Sequence, residues 1–170
     1  MTDDAPLGPE TYQALRRIAA ARMRGRQAVT LQPTALVHEA WAKIGAGRAG
    51  IERGHFLALA ARAMRQVIID RARARQAAKR GGGRVQVTLA STPGDAGEGL
   101  VDVLAVDEAL TRLAELDPRR ARVVELRFFG GMSTAEIAEA MGQSTATVER
   151  DWRAARAWLQ VHLAAEALSG

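Results

Sequence analysis

Apolar residues recur at helical spacing along most of this chain, in blocks separated by glycine, proline or a change of period. Tyr12, Leu15, Ile18 and Ala19 fall on one face and predict a helix over residues 9–25, with Pro9 at its first position and Arg16, Arg17, Arg22, Arg24 and Arg26 crowding the remaining surface. Leu36, Val37, Ala40, Trp41 and Ile44 follow the i, i+1, i+4, i+5, i+8 pattern of a second amphipathic helix that starts near Pro33 and ends in the Gly-rich run GAGRAG. Phe56, Leu59, Ala60, Ala63, Met64, Val67 and Ile68 make the apolar stripe of a long third helix over residues 55–80, with Arg62, Arg65, Gln66 and Arg73 opposite. Its tail, RARARQAAKR, reads as a basic rod that the glycines at 81–83 stop.

The period changes over residues 84–104. VQVTLA alternates like a strand, but no second strand is evident for it to join, and STPGDAGEG is rich in turn formers and acidic. The segment is therefore expected to be a linker, extended in places. Helical spacing resumes near Val106 with Leu110, Leu113 and Leu116. Asp117-Pro118 then supplies a cap and a first-turn proline for a helix that runs to Phe128 or Phe129 and stops at Gly130-Gly131. Ser133 and Glu136 form a capping box for the next helix, which Gly142 ends, and a last helix runs over residues 145–163. No internal repeat and no strand-rich stretch is visible. The pattern predicts an all-α fold of two small helical domains, 9–83 and 105–168, joined by a linker at 84–104, the C-terminal one a helix-turn-helix.

Charge sharpens this division. The net charge is +5, but residues 1–90 carry sixteen basic and six acidic side chains, a net of +10. Residues 91–106 are at −3 and residues 107–170 at −2. A basic first half points to a polyanionic partner, nucleic acid before membrane. The absence of cysteine excludes disulfides and thiolate metal sites. The acidic, Pro- and Gly-containing start MTDDAPLGPE does not read as a signal peptide, and no apolar run approaches the ~20 residues that span a bilayer, so membrane insertion is not expected and a cytoplasmic location is.

The strongest local signal is STAEIAEAMGQSTATVERDW. Two helices that cross closely need a small residue at the crossing, and Ala138 is there. The tight turn needs a residue tolerant of positive φ, and Gly142 follows four positions later. Val148 is the β-branched anchor of the second helix, and Ile137 and Met141 complete the inner face. Ser144, Thr145, Thr147, Glu149, Arg150 and Arg153 are then expected to point outward near the N-terminus of that helix, where such helices enter the major groove. Arginine can read guanine bidentately, and serine or threonine can touch bases or phosphates. Gln143 stands where an apolar residue is usual, and an outward Glu149 would repel phosphate, so modest intrinsic affinity is expected. Trp152 continues the buried stripe with Ala155 and Leu159, and it and Trp158 are read as packing residues.

The segment ELDPRRARVVELRFFGGMSTAEIAEAMGQSTATVERDWRAARAWL resembles region 4 of the extracytoplasmic-function (ECF) sigma factors, the smallest members of the sigma-70 family. TLQPTALVHEAWAKI followed by FLALAARAMRQVIIDRARARQAAKRGGG is similar to their region 2. Together these blocks, in the family's order, cover most of the chain. The resemblance implies a promoter-recognition subunit of bacterial RNA polymerase, with core polymerase (clamp and flap regions) and promoter DNA as partners, an anti-sigma protein as a further one, and no cofactor. It implies that Leu36, Val37, His38, Glu39 and Trp41 dock on the clamp, with His38 and Glu39 the exposed members. It assigns Arg62, Arg65, Gln66, Arg71 and Arg73 to the minus-10 region, with a base pocket in the loop at 45–55. Ser144, Thr145, Thr147, Arg150 and Arg153 would read the minus-35 element. The family pattern carries a further helix before Tyr12 that this sequence does not show, and Ala146 and Glu149 stand where more basic residues are common.

An enzyme is not expected. His38, His55 and His162 fall in different elements without ligand spacing, and no nucleophile–base set or phosphate-cradling loop stands out. Two other readings stay open: a stand-alone helix-turn-helix regulator, which would need a dimer interface that no heptad supplies, and a sigma-like protein that binds polymerase without opening promoters.

Overall fold

The computed structural model describes Glu39, Ala42 and residues 53–78, 86–87 and 101–169. The helix expected at 9–25, most of the helix from Pro33 and the loop at 45–55 except residues 53–55 lie outside the described residues. The described elements are helix α1 (Arg53–Ala78), strands β1 (Gln86–Val87) and β2 (Val101–Asp102), helices α2 (Val103–Leu116) and α3 (Pro118–Val124), a π-helical segment (Glu125–Phe129), and helices α4 (Thr134–Met141) and α5 (Thr145–Ser169). Two two-residue strands aside, the architecture is all-α.

Local chemistry explains the element ends. Asp102 caps α2, its carboxylate accepting from Leu104 N at 3.1 Å. Asp117 closes α2 by donating its N–H to Leu113 O at 2.7 Å and opens α3 by accepting from Arg120 N at 3.1 Å, with Pro118 in the first turn where a missing N–H is harmless. Both halves of the Ser133/Glu136 capping box are present. Gly142 ends α4 at φ 61°, a left-handed position that costs a residue with Cβ about 1–2 kcal/mol.

One expectation is corrected and two are refined. VQVTLA does find a partner: Gln86 pairs with Asp102 and Val87 with Val101 in an antiparallel ladder, and α2 starts directly from it at Val103 rather than near Val106. The helix after Pro118 does reach Phe129, but its last turn widens to π, with Gly130 N donating to Glu125 O at 3.1 Å. Leu116 does not share the buried face of Leu110 and Leu113; it is 71% exposed at the helix end.

Helix α1 is buried on more than one stripe. Phe56, Ala60, Ala63, Met64 and Val67 are buried as the spacing predicts, but so are Leu57, Ala61, Ile69 and Ala72, while Leu59 and Ile68 are half-buried. The reason is that α1 lies against α2, the π-helical segment and α4, so its apolar residues join one hydrophobic core with those of the C-terminal half. Small residues permit the approach. A Cβ on Gly130 would stand 2.8 Å from Ala61 Cβ and 2.5 Å from Leu126 O, too close to be accommodated. Phe128 and Phe129 fill the centre edge to face, with ring centroids 4.8 Å apart, a geometry aromatic pairs favour. Helix α5 closes the core with Val148, Trp152, Ala155, Leu159 and Leu163, so Trp152 is the packing residue its spacing predicted. No helix among the described residues is long and apolar enough to cross a membrane.

Candidate nucleic-acid interface

Helices α4 and α5 are joined by the left-handed turn at Gly142, at the place where the sequence predicts a helix-turn-helix. Ile137, Ala138 and Val148 are buried between them and Met141 is half-buried. Gln143, whose N–H donates to Ala138 O at 2.9 Å, is exposed, which suits its polarity in a turn position usually apolar.

At the start of α5, Ser144 Oγ accepts from Thr147 N at 3.1 Å and lies 2.9 Å from Thr147 Oγ1. Both hydroxyls are thus engaged in capping the helix. Thr145, Ala146, Arg150 and Arg153 are exposed. Of the five residues predicted to read DNA here, Thr145, Arg150 and Arg153 project into solvent, and Ser144 and Thr147 hold the helix start in shape.

Glu149 departs from its expected place. It turns back to accept from the Thr134 hydroxyl, and Arg127 Nη1 stands 3.3 Å from the same carboxylate oxygen. The Thr134 hydroxyl first, and then the Arg127 guanidinium with help from Arg153, hold the Glu149 carboxyl below its ordinary value, against a smaller opposing effect of burial. Its carboxylate therefore ties α5 to Thr134 of α4 and to Arg127, although the side chain stays 42% exposed. Arg127 in turn lies over the Trp152 ring, 4.9 Å from the centroid.

Asp151 was missed in the sequence. It is 1% exposed, the one buried charged residue among the described residues. Arg119 meets it from α3, Nε 2.9 Å from Oδ2 and Nη2 3.0 Å from Oδ1, with Arg120 Nε 3.9 Å away. The signal was available: Asp151 lies three positions after Val148 and four before Ala155, on the inward face of α5.

The basic helix α1 is only partly free. Arg62 and Gln66 are exposed. Arg71 is paired with Glu39, the one polymerase-docking candidate among the described residues; Leu36, Val37, His38 and Trp41 lie outside them. Arg73 Nη2 stands 3.8 Å from Asp107 Oδ2. Arg65, expected on the solvent side, is instead wedged between α1 and the C-terminal half. Its Nε donates to Asp107 Oδ1 at 2.7 Å, its Nη1 reaches Glu125 Oε1 at 3.4 Å, and its guanidinium lies 5.9 Å from the Phe129 ring centroid. The single-stripe reading of α1 caused the error, since a helix packed on several neighbours has no fully free side.

Of the other histidines, His55 is exposed in the first turn of α1 and His162 stacks on Trp158 at 4.7 Å and lies 3.0 Å from Arg112 Nη1. No cluster of His, Asp or Glu among the described residues has the makings of a metal site.

A family model described as ECF sigma factor matches residues 3–165. No curated protein and no solved structure matches the chain.

Proposed function

The chain belongs to the ECF sigma factor family, and from that premise we propose that it directs core RNA polymerase to specific promoters through two contacts, one at the minus-35 element and one at the minus-10 region. Family membership implies polymerase and promoter DNA as partners; the assignment of contacts to residues is the proposal. The observation that carries it is the start of α5: a capped, solvent-facing helix end that offers Thr145, Arg150 and Arg153, while Glu149 is engaged by Thr134 and Arg127 and Asp151 is buried against Arg119. Helix ends of this kind enter the major groove, where arginine discriminates guanine. Arg62, Gln66 and their neighbours on α1 would hold the opened strand, as basic surfaces hold single strands generally. The polymerase-docking role is carried by the segment around Glu39.

Run-off transcription tests this. The purified chain, mixed with core polymerase, is expected to co-elute with it and to start transcription at defined promoters found by mapping start sites after overexpression. Failure to co-elute would overturn the reading in favour of a free-standing regulator. Co-elution without transcription would favour a sigma-like protein that no longer opens promoters.

A further inference from the structure

We propose that Glu149 is a specificity-determining residue of the minus-35 contact, its carboxylate accepting from the N4 amino group of a cytosine in the major groove. The inference rests on the reading of α5 as the helix that enters the groove. It adds to that reading an acidic contact that the basic candidates do not supply.

The first observation is the place of Glu149 on α5. Residues four apart on a helix are neighbours on one face, and Thr145, Glu149 and Arg153 form such a row. Thr145 and Arg153 are exposed at its two ends, and both are assigned to the minus-35 element. Glu149 is the middle member, one turn from each. A duplex that meets both Thr145 and Arg153 therefore passes over the carboxylate between them.

The second observation is that the carboxylate is held at one oxygen. The Thr134 hydroxyl donates to Oε1, and Arg127 Nη1 donates to that same oxygen at 3.3 Å and to Thr134 Oγ1 at 3.2 Å. Arg127 is itself fixed, since its side chain is mostly buried and its guanidinium lies over the Trp152 ring. An ionised carboxylate has about four acceptor sites on its two oxygens, and the contacts from Thr134 and Arg127 both fall on Oε1. With much of the side chain open to water, the carboxylate keeps room for a donor from outside the chain. A side chain already fixed in place loses less freedom on binding, so Glu149 is preorganised for such a donor.

The third is chemical. The Thr134 hydroxyl and the Arg127 guanidinium favour the ionised form, which only accepts. In the major groove cytosine presents an amino donor alone, guanine two acceptors, thymine an acceptor and a methyl group, and adenine an amino donor beside the N7 acceptor. A carboxylate therefore suits cytosine, is opposed by guanine and thymine, and meets adenine less well. Arg150 and Arg153 suit guanine. An acidic residue among them adds a position at which the contacted strand must carry cytosine. The Arg127 and Arg153 charges offset the repulsion between this carboxylate and phosphate.

Selection from randomised duplexes tests the contact, run with the full chain on core polymerase and with the chain alone. The parent should enrich cytosine over guanine or thymine at one position of the upstream element on the order of tenfold. Glu149→Gln should lose that preference and move it toward adenine, because glutamine pairs bidentately with adenine N6 and N7. A Glu149→Gln chain that keeps the parent's preference at every position would overturn the proposal, as would a parent that enriches no cytosine. A purely structural role for Glu149 gives a different result: weaker binding to all sequences, with the base preference unchanged. Thr134→Val keeps the side-chain shape and removes the hydroxyl that fixes Oε1. It should narrow the cytosine preference several-fold while leaving binding to cytosine-free duplexes close to that of the parent, and an unaltered preference would overturn the positioning role of Thr134. Failure to co-elute with polymerase, with cytosine selection retained by the chain alone, would overturn the proposed function only. Promoter-specific transcription with a base preference untouched by Glu149→Gln would overturn the cytosine contact only.

Discussion

Arg119 holds the buried carboxylate of Asp151 from the preceding helix, Nε 2.9 Å from Oδ2, although Arg119 itself is half in water. The pair is asymmetric. Removal of the arginine leaves a desolvated charge with Arg120 Nε 3.9 Å away, whereas removal of the charge leaves an arginine that can rehydrate. Arg119→Ala is therefore expected to lower stability by about 1–3 kcal/mol, the cost of an unsatisfied buried group, and Asp151→Asn by less. Urea unfolding of both variants checks the order. A larger loss for Asp151→Asn would mean that shape and hydrogen bonding, not charge, govern the site.

Glu149 gives a pH prediction. Its folded pKa lies below the ordinary carboxylate value, so the stability it contributes is fully present above that value and is lost as pH falls through the folded one. Glu149→Gln should thus be less stable than the parent near neutrality, and the difference should shrink as pH drops from about 6 to about 3, across the carboxylate range. A difference that stays constant over this range would show that the Thr134 hydroxyl bond, not the charge, ties the two helices.

Two glycines separate two physical causes. At Gly130 the added methyl group would meet backbone and Ala61, so Gly130→Ala should cost about 1–3 kcal/mol through overpacking. At Gly142 nothing lies near the added group, and Gly142→Ala should cost about 1–2 kcal/mol through its positive φ alone. Asparagine, which tolerates that conformation, should recover much of the loss at 142 and none at 130. Thermal melts of the four variants test the distinction.

Arg150 is one of the base-reading candidates exposed to solvent. Arg150→Ala should reduce discrimination at the upstream element by ~1–3 kcal/mol if the contact to a guanine is bidentate. Arg62→Ala on the basic helix should weaken binding with little sequence preference and flatten the salt dependence by about one phosphate contact. Selections from randomised duplexes and salt titrations read these effects separately. An unchanged base preference for the Arg150 variant would remove it from the reading face.

Features set by neighbours in sequence were legible. Asp117-Pro118, Ser133 with Glu136 and Gly142 each act within a few residues, and each does what its chemistry predicts. The inward face of α5 followed from Val148, Trp152, Ala155 and Leu159, though the same spacing also placed Asp151 there and went unread. Long-range relations were not legible. Arg65 meets partners 42 and 60 positions away, and nothing in the pattern around it distinguishes a clasped arginine from a solvated one. The same holds for Gln86 and Val87, whose two-residue ladder depends on a partner strand too short to show alternation. Glu149 was misplaced because its helical position permits it to face either groove or Thr134, and only the crossing angle decides.

The widened turn at Glu125–Phe129 amounts to one surplus residue in an otherwise regular helix. Its removal would restore ordinary winding and rotate everything downstream by about 100° around the axis. Phe129 and Gly130, which face α1, would swing to another side, and the glycine notch that receives Ala61 would go with them. A single-residue deletion here thus acts as a decoupler. It would leave the composition of both halves almost untouched while removing the fit between them, so the register of this one turn sets whether the two halves meet.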